Sequence, residues 1–147
     1  MKQYFIHIIY AGLLLLSPNA ALTQEYDNTI KNCKDYLNNE YINSGQNYVA
    51  NLNKNNKAVF HTTFYEGTQY RIVACSDLDK HPLILEVFDT ERNLLFSNKD
   101  HQYTPYWDLL FTSTVTCTIE ISIEAEKHLK EPVKLLIGFK NKSLNFD

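Results

Sequence analysis

The three cysteines are the residues whose chemistry depends most on the compartment that holds the protein. Cys33, Cys75 and Cys117 are evenly spaced along the chain. In an oxidising compartment two of them can pair and one is left over. Cys75 and Cys117 both fall in predicted strands, so we expect these two to form a disulfide. Strand alternation places Cys75 outward and Cys117 inward, so the pair requires a β-bulge near Ala74. The alternatives are a reduced pair and a disulfide between Cys33 and Cys117.

Two aspartates are the candidate ligands for a metal ion. Asp77 and Asp79 lie in a polar loop, and with Asp89 or Asp100 their oxygens could bind Ca²⁺. The EF-hand spacing is absent, and aspartate is common in ordinary turns. We therefore expect a solvated loop and no cofactor.

The remaining reactive side chains form no catalytic motif. The histidines are scattered, without a His-x-His or His-Glu-x-x-His pattern, and no Gly-x-Ser-x-Gly is present. Cys33 falls on a predicted buried face, whereas a reactive thiolate needs an accessible, electropositive setting. The sequence thus predicts a protein that is not an enzyme, with an enzyme or an enzyme inhibitor as an alternative.

Three aromatic residues follow one another closely in a loop that enters a predicted strand. Tyr103, Tyr106 and Trp107 could form an aromatic platform that stacks on a sugar or a peptide. Trp107 also alternates with Leu109 and Phe111, which indicates a core position instead. We favour the structural interpretation of Trp107, because large aromatic residues more often pack inward.

These residues must be positioned by strands, and the clearest strand is Val115 to Glu124. Its apolar residues alternate with Thr116, Thr118, Glu120 and further polar residues, which predicts one face in a core and one in water. Similar patterns predict eight strands at short spacing, over 48–52, 58–65, 69–76, 83–90, 94–97, 107–111, 115–124 and 133–140. We expect 58–65 and 69–76 to form a hairpin through Glu66 and Gly67. This pattern predicts an all-β, antiparallel β-sandwich of jelly-roll or Greek-key type over 46–140.

One stretch before the strands has helical periodicity. Ile30, Cys33, Leu37 and Tyr41 are spaced three, four and four residues apart, with polar residues between them. Asp27 suits the N-cap, and Ser44 with Gly45 suits the end. The sequence predicts a helix over 25–44 that lies on the outside of the sandwich with Cys33 facing inward.

The first 21 residues have the layout of a secretory signal peptide. Lys2 precedes an apolar run that is too short for a comfortable bilayer span, and small residues follow it. Residues 22–147 are then a single domain with 13 basic and 17 acidic residues, hence a net charge of −4. This acidic balance argues against nucleic acid as a partner. We expect an exported protein, periplasmic or extracellular, that is not an integral membrane protein after signal cleavage.

A resemblance covers roughly 80 residues between Ala58 and Phe139. The run from Phe64 to Ile72 is similar to the aromatic, Gly-turn, Tyr-x-Ile hairpin of pre-peptidase C-terminal-type domains, and Leu83 to Phe96 and Thr114 to Ile123 resemble later strands of that family. The whole chain is more similar still to small uncharacterised secreted bacterial β-sandwich proteins. They share Thr-Phe-Tyr-x-Gly-x-x-Tyr-Arg-Ile, Asn-Leu-Leu-Phe-Ser-Asn and Tyr-Trp-Asp. The resemblance implies a β-sandwich and export, and it carries no catalytic residues.

These observations predict an exported, non-catalytic β-sandwich that serves as a binding or interaction module in the cell envelope. Its partner would be an unidentified protein or a glycan. The alternative function is carbohydrate contact through the aromatic platform.

Overall fold

The computed structural model describes residues 33–78 and 81–141. The predicted signal segment, residues 1–21, and the first part of the predicted helix, residues 25–32, lie outside this range. Eight strands are present: β1 (Ile42–Asn51), β2 (Lys57–Phe64), β3 (Thr68–Ser76), β4 (Ile84–Phe88), β5 (Leu94–Ser97), β6 (Tyr106–Leu110), β7 (Val115–Ser122) and β8 (Pro132–Asn141). A short 3₁₀ helix, Asn98–His101, follows β5.

The strands form two four-stranded sheets whose order identifies the fold. The first sheet has the order β1-β8-β3-β6 and the second the order β2-β7-β4-β5, and every neighbouring pair is antiparallel. Two interleaved sheets with this wiring are an eight-stranded jelly roll. The predicted all-β, antiparallel sandwich is therefore confirmed.

The core lies between the sheets and is filled by alternate residues of each strand. In β7, Cys117, Ile119 and Ile121 are almost completely buried. They meet inward residues of the other sheet, among them Ile72 of β3 and Leu135 of β8. The inward half of the predicted β7 pattern is thus correct, because period-two alternation buries one face of a strand.

The predicted solvated row of β7 is wrong at one position. Glu120 points away from the core but is only 5% exposed. Lys57 and Arg92 cover its carboxylate, each with an ion pair to a different oxygen. Cross-strand cover of this kind cannot be seen in the pattern of a single strand.

The predicted hairpin of residues 58–65 and 69–76 is also wrong. β2 pairs with β7, whereas β3 pairs with β6 and β8. Phe64 and Tyr70 both face the core, and their rings meet edge to face with centroids 4.8 Å apart. Two strands whose apolar faces meet across a core must belong to opposite sheets, so the chain crosses from one sheet to the other at Glu66 and Gly67.

The segment before β1 covers the outer face of the first sheet. Cys33, Leu37 and Tyr41 are buried there against Val73 and Leu136, as the periodicity predicted. The predicted helix end at residue 44 is wrong, because in the described part of this segment helical geometry stops at residue 35 and turns follow to residue 40. Asn38 adopts a positive φ of 49°, and its side chain accepts a hydrogen bond from the Glu40 N–H, so the chain leaves the helix and enters β1 at Ile42.

A glycine in β8 lets this segment approach the sheet. A Cβ at Gly138 would lie 2.8 Å from Leu37 Cδ2 and 2.9 Å from Tyr41 Cβ, closer than real Cβ contacts come. Gly138 points to the outer face, between Leu136 and Lys140. The absence of a side chain there makes room for the segment.

The disulfide joins Cys33 to Cys75, with their Cα atoms 6.0 Å apart. The expected pair of Cys75 and Cys117 is wrong, and Cys117 is a buried free thiol. Cys75 lies on the outer face of the first sheet, and the regular register of β3 with β8 leaves no bulge near Ala74 to turn it inward. The inner layer of side chains therefore separates Cys75 from Cys117, while the covering segment brings Cys33 directly over Cys75.

Replacing both Cys33 and Cys75 by alanine should lower the free energy of unfolding by about 2–4 kcal/mol, because the disulfide closes a long loop in the unfolded chain. Urea unfolding measures this loss. A reductant should lower the stability of the wild type to a similar degree and leave the double variant unchanged. A wild type whose unfolding midpoint does not respond to reductant under unfolding conditions would contradict the assignment.

Candidate functional site

A groove opens at one edge of the sandwich, between β1 and β2. These two strands are consecutive but belong to different sheets, so they form neighbouring edges of the two layers. The groove has a volume of about 710 Å³. That size is within the range of roughly 300–1,000 Å³ that is typical of small-ligand pockets.

A bulge in β1 shapes one wall of this edge groove. Asn43 pairs with Gly138 and Asn47 with Leu136, so residues 44 to 46 lie opposite Ile137 alone. Gly45 has a φ of +78°, a conformation that side chains rarely adopt. The bulge places Ser44 on the groove, where Ile137 also lines it.

The floor of the edge groove is aromatic. Tyr48, Phe64, Tyr70 and Phe139 contribute to its lining, and all four pack on or within the core between the sheets. Phe64 is fully buried and stacks on Phe111, with ring centroids 4.5 Å apart and an interplanar angle of 9°. The rings thus belong to the packed core, which holds the floor rigid.

The second wall consists of consecutive residues of β2. His61, Thr62, Thr63 and Phe64 all line the groove, followed by Tyr65. Successive side chains of a strand point to opposite faces, so a wall made of consecutive residues is the backbone edge of the strand itself. β2 is an edge strand, because β7 is its only neighbour in the second sheet.

The polar groups of the groove are hydroxyls, one imidazole and backbone. Among the lining residues that the structure describes, none is a carboxylate, lysine or arginine. The Tyr70 hydroxyl accepts a hydrogen bond from the Tyr65 N–H at 3.1 Å. His61 Nδ1 lies 3.2 Å from Thr118 Oγ1, on the outer face of the second sheet. The site is therefore neutral and part-apolar.

A buried asparagine holds the turn that links β1 to β2. Asn56 is 5% exposed and adopts a φ of 54°. Its amide donates to the carbonyls of Ala125 and Lys127 and its oxygen accepts from the Leu129 N–H. These bonds attach the β1–β2 turn to the loop before β8. The two strands that form the walls of the groove are therefore joined by a turn that is held in place.

The predicted aromatic platform is not brought together. Trp107 packs against the core, stacked on Phe96 at 4.8 Å, as the structural interpretation expected. Tyr106, its neighbour in β6, contacts Tyr36 and Arg71 on the outer face. Tyr103 is exposed in the loop before β6. Adjacent strand residues point to opposite faces, so Tyr106 and Trp107 cannot offer one stacking surface.

The candidate metal ligands do not form a cluster in the part of the chain that is described. Asp77 is exposed at the end of β3, and Asp79 lies outside the described residues. Within residues 33–78 and 81–141, no group of three or more histidine, cysteine, aspartate or glutamate side chains could hold a metal ion.

Cys117 is the free thiol of the described chain, and it is 1% exposed. Burial raises its pKa to about 11, so the thiol stays protonated at neutral pH. A buried, protonated thiol is a packing residue rather than a nucleophile.

Two ion-pair clusters lie on the outer faces of the sheets, away from the groove. The Arg71 guanidinium donates to both Asp108 oxygens, at 2.6 and 2.8 Å. Burial alone would raise the pKa of Asp108, but hydrogen bonds from Arg71 and Tyr41, together with the charges of Arg71 and Lys140, outweigh it and the pKa is lowered. Glu120 behaves in the same way: burial acts to raise its pKa, and Lys57 and Arg92 lower it. All these groups are charged at neutral pH and paired, as structural ions are.

Sequence reasoning missed the edge groove. Its residues come from β1, β2, β3 and β8 and meet only because consecutive strands enter different sheets. The one local signal is Ser44-Gly45, which we interpreted as a helix end although it forms the β1 bulge.

No protein-family model matches the chain, and no curated protein is significantly similar to it. The resemblance to pre-peptidase C-terminal-type domains and to small secreted bacterial proteins stays a prediction. Among the residues that the structure describes, none of the helical segments has the length and apolar character of a bilayer span.

Replacing Glu120 by glutamine should lower the free energy of unfolding at neutral pH by about 1–3 kcal/mol, because it leaves two cations without their buried partner. The folded pKa of Glu120 is lowered, so its contribution is present above the unfolded pKa and is lost as pH falls through the folded value. The difference between wild type and variant should therefore shrink below about pH 4.3.

Urea unfolding at a series of pH values measures both stabilities. Glu124→Gln is the matched control, since the Glu124 side chain is 76% exposed and pairs loosely with Lys99. We expect it to change stability little at any pH. A Glu120→Gln deficit that is constant from neutral to acidic pH would show that the carboxylate charge is not the cause.

Proposed function

We propose that this protein is an exported, non-catalytic binding module of the cell envelope whose ligand site is the edge groove between β1 and β2. The observation that carries the proposal is the composition of the groove. It combines a rigid aromatic floor with hydroxyls and backbone groups, in a volume of about 710 Å³. Concave, mostly apolar sites with a few convergent polar groups are the usual form of ligand pockets.

The same lining supports binding rather than catalysis. His61 is the one imidazole among the lining residues, and no lining carboxylate orients its ring. The described free thiol is buried in the core and does not line the groove. An acid–base or nucleophilic mechanism needs a positioned pair of such groups.

Export is supported by two independent features. Lys2 and the apolar run that follows it have the layout of a signal peptide. The disulfide between Cys33 and Cys75 is of the kind that persists in an oxidising compartment.

Carbohydrate contact through Tyr103, Tyr106 and Trp107 is less well supported. Trp107 belongs to the core, and Tyr106 is engaged by Arg71 on the opposite face of β6. The groove is the better candidate for the ligand-binding site, because it brings several rings to one concave surface.

A blocking variant tests the proposed site. Ser44 is exposed on the β1 bulge and lines the groove, so Ser44→Trp should fill its mouth without disturbing the core. Thr90→Trp is the matched control, because Thr90 is equally exposed but lies in the β4–β5 turn. A peptide-display library and a glycan array are presented to the wild type and to both variants.

We expect the wild type and Thr90→Trp to retain the same ligands, and Ser44→Trp to bind them roughly tenfold more weakly or worse, a loss of about 1.4 kcal/mol. Ligands that bind all three proteins equally would place the site elsewhere. The absence of any ligand in both libraries would count against a binding function for the groove.

A further inference from the structure

We propose that the edge groove takes an extended peptide segment, which adds to the second sheet by pairing with the free edge of β2. This inference rests on the proposed function of the groove and names its ligand class. Strand addition uses backbone hydrogen bonds for affinity and pockets for alternate side chains for specificity.

The hydrogen bonds at the start of β2 show which of its backbone groups face the groove. The Asn56 carbonyl accepts from the Ile123 N–H on the β7 side. The Lys57 carbonyl accepts from the Asn53 N–H on the β1 side, and the Lys57 N–H donates to Asn53 Oδ1. In an antiparallel ladder the backbone groups of successive residues point to opposite sides. Even-numbered residues of β2 therefore bond to β7, and odd-numbered residues point away from it.

The backbone groups at the far end of β2 follow the same alternation. The Tyr65 N–H points away from β7 and donates a hydrogen bond to the Tyr70 hydroxyl. Between these two ends, the backbone N–H and C=O groups of His61 and Thr63 point away from β7 along the groove. Neither residue makes a backbone hydrogen bond on that side to any residue of the described chain. These four backbone groups, which have no backbone partner among the described residues, thus form a template for another strand.

Along the stretch that lines the groove, β2 lacks the features that usually protect an edge. Its regular register with β7 contains no bulge. Its one charged residue, Lys57, is the first residue of the strand and pairs with Glu120, and residues 58–65 include no charged residue or proline. β1 carries a bulge at residues 44 to 46, and β5 is only four residues long. Bulges and short length are two of the ways in which natural sheets prevent edge pairing. Of β1, β2 and β5, the strand without these two features is β2, which forms one wall of the groove.

The dimensions of the groove suit a short strand. His61 to Tyr65 line it continuously, which corresponds to about 13 Å of extended chain at about 3.3 Å per residue. A peptide strand beside β2 places alternate side chains over the aromatic floor and the others outward beside His61 and Thr63. The floor is neutral, so the inward side chains should be apolar and uncharged.

A sugar chain fits these observations less well. Stacking on a sugar needs an exposed aromatic face. One face of Phe64 is covered by Phe111, and the edge of Tyr70 packs against Phe64. Tyr70 is only 8% exposed. These two rings of the floor therefore offer no open face on which a pyranose ring could stack.

Peptides that are N-methylated at alternate residues test the inference, because a methylated amide cannot donate a hydrogen bond to β2. The probes are capped peptides of about six residues, long enough at about 3.3 Å per residue to span the lined stretch of β2 and extend beyond it. In them threonine alternates with valine, leucine or phenylalanine, and calorimetry measures their affinity for the wild-type protein. The tightest peptide is then N-methylated either at its threonines or at its apolar residues. Only one of these alternate sets of amides can face β2 in a paired strand.

We expect one methylated set to weaken binding roughly tenfold or more, and the other set to bind as the parent peptide does. Ser44→Trp should lose the parent peptide, and Thr90→Trp should keep it. Equal losses from both methylated sets would overturn strand pairing, even if the peptide binds in the groove.

The remaining outcomes separate this inference from the proposed function. Glycans that bind the wild type and not Ser44→Trp, with no peptide bound, would overturn the peptide ligand and preserve the groove as a binding site. A protein that self-associates through β2, and that Ser44→Trp makes monomeric, would identify a second copy as the occupant and overturn the inference. Failure of both ligand classes in a monomeric protein would overturn the proposed function as well.

Discussion

The Arg71 guanidinium lies between the rings of Tyr41 and Tyr106, at 4.5 and 4.6 Å from their centroids, while it makes two hydrogen bonds to Asp108. It also donates to the Tyr36 carbonyl at 3.0 Å. Arginine suits this role because its planar cation can stack on rings and bind a carboxylate at the same time. One side chain of β3 therefore joins the N-terminal segment to the outer strand β6.

This contact helps to hold the chain where it enters β1. Together with the disulfide at Cys33 and the space at Gly138, Arg71 holds residues 33–41 against the first sheet. The chain then enters β1 at Ile42, and its bulge lies opposite Ile137. β1 is the edge strand of the first sheet and forms one wall of the groove. The bulge therefore shapes the groove on the side that faces β2. The segment that covers the outer face of the first sheet thus leads directly into the bulged strand that forms one wall of the groove.

Local alternation was sufficient to predict eight strands, since each buries one face, although β1 begins at Ile42, six residues before its predicted start. It also predicted that Cys33, Leu37 and Tyr41 face inward, because their periodicity holds even though the helix ends early. It could not predict partners across the fold. The Cys33–Cys75 bond depends on a segment that covers β3 from outside, and burial of Glu120 depends on cations from two other elements.

The edge groove was beyond prediction for a related reason. Its walls come from strands that are adjacent in sequence but lie in different sheets, and no local pattern distinguishes that arrangement from a hairpin. The residues selected from the sequence for binding, Tyr103, Tyr106 and Trp107, were chosen because aromatic side chains cluster there, and the last two are adjacent in β6. Alternation places them on opposite faces, a consequence that follows once β6 is known to include both residues.

Amide hydrogen exchange in the unliganded protein tests most directly whether the groove is bordered by a free strand edge. Thr62 and Phe64 point to β7 and should be protected, whereas His61 and Thr63 point along the groove and should exchange much faster. This alternation of fast and slow amides within one regular strand is the expected result. Equal protection of His61, Thr62, Thr63 and Phe64 would show that the edge is already paired, and would contradict the account of the groove.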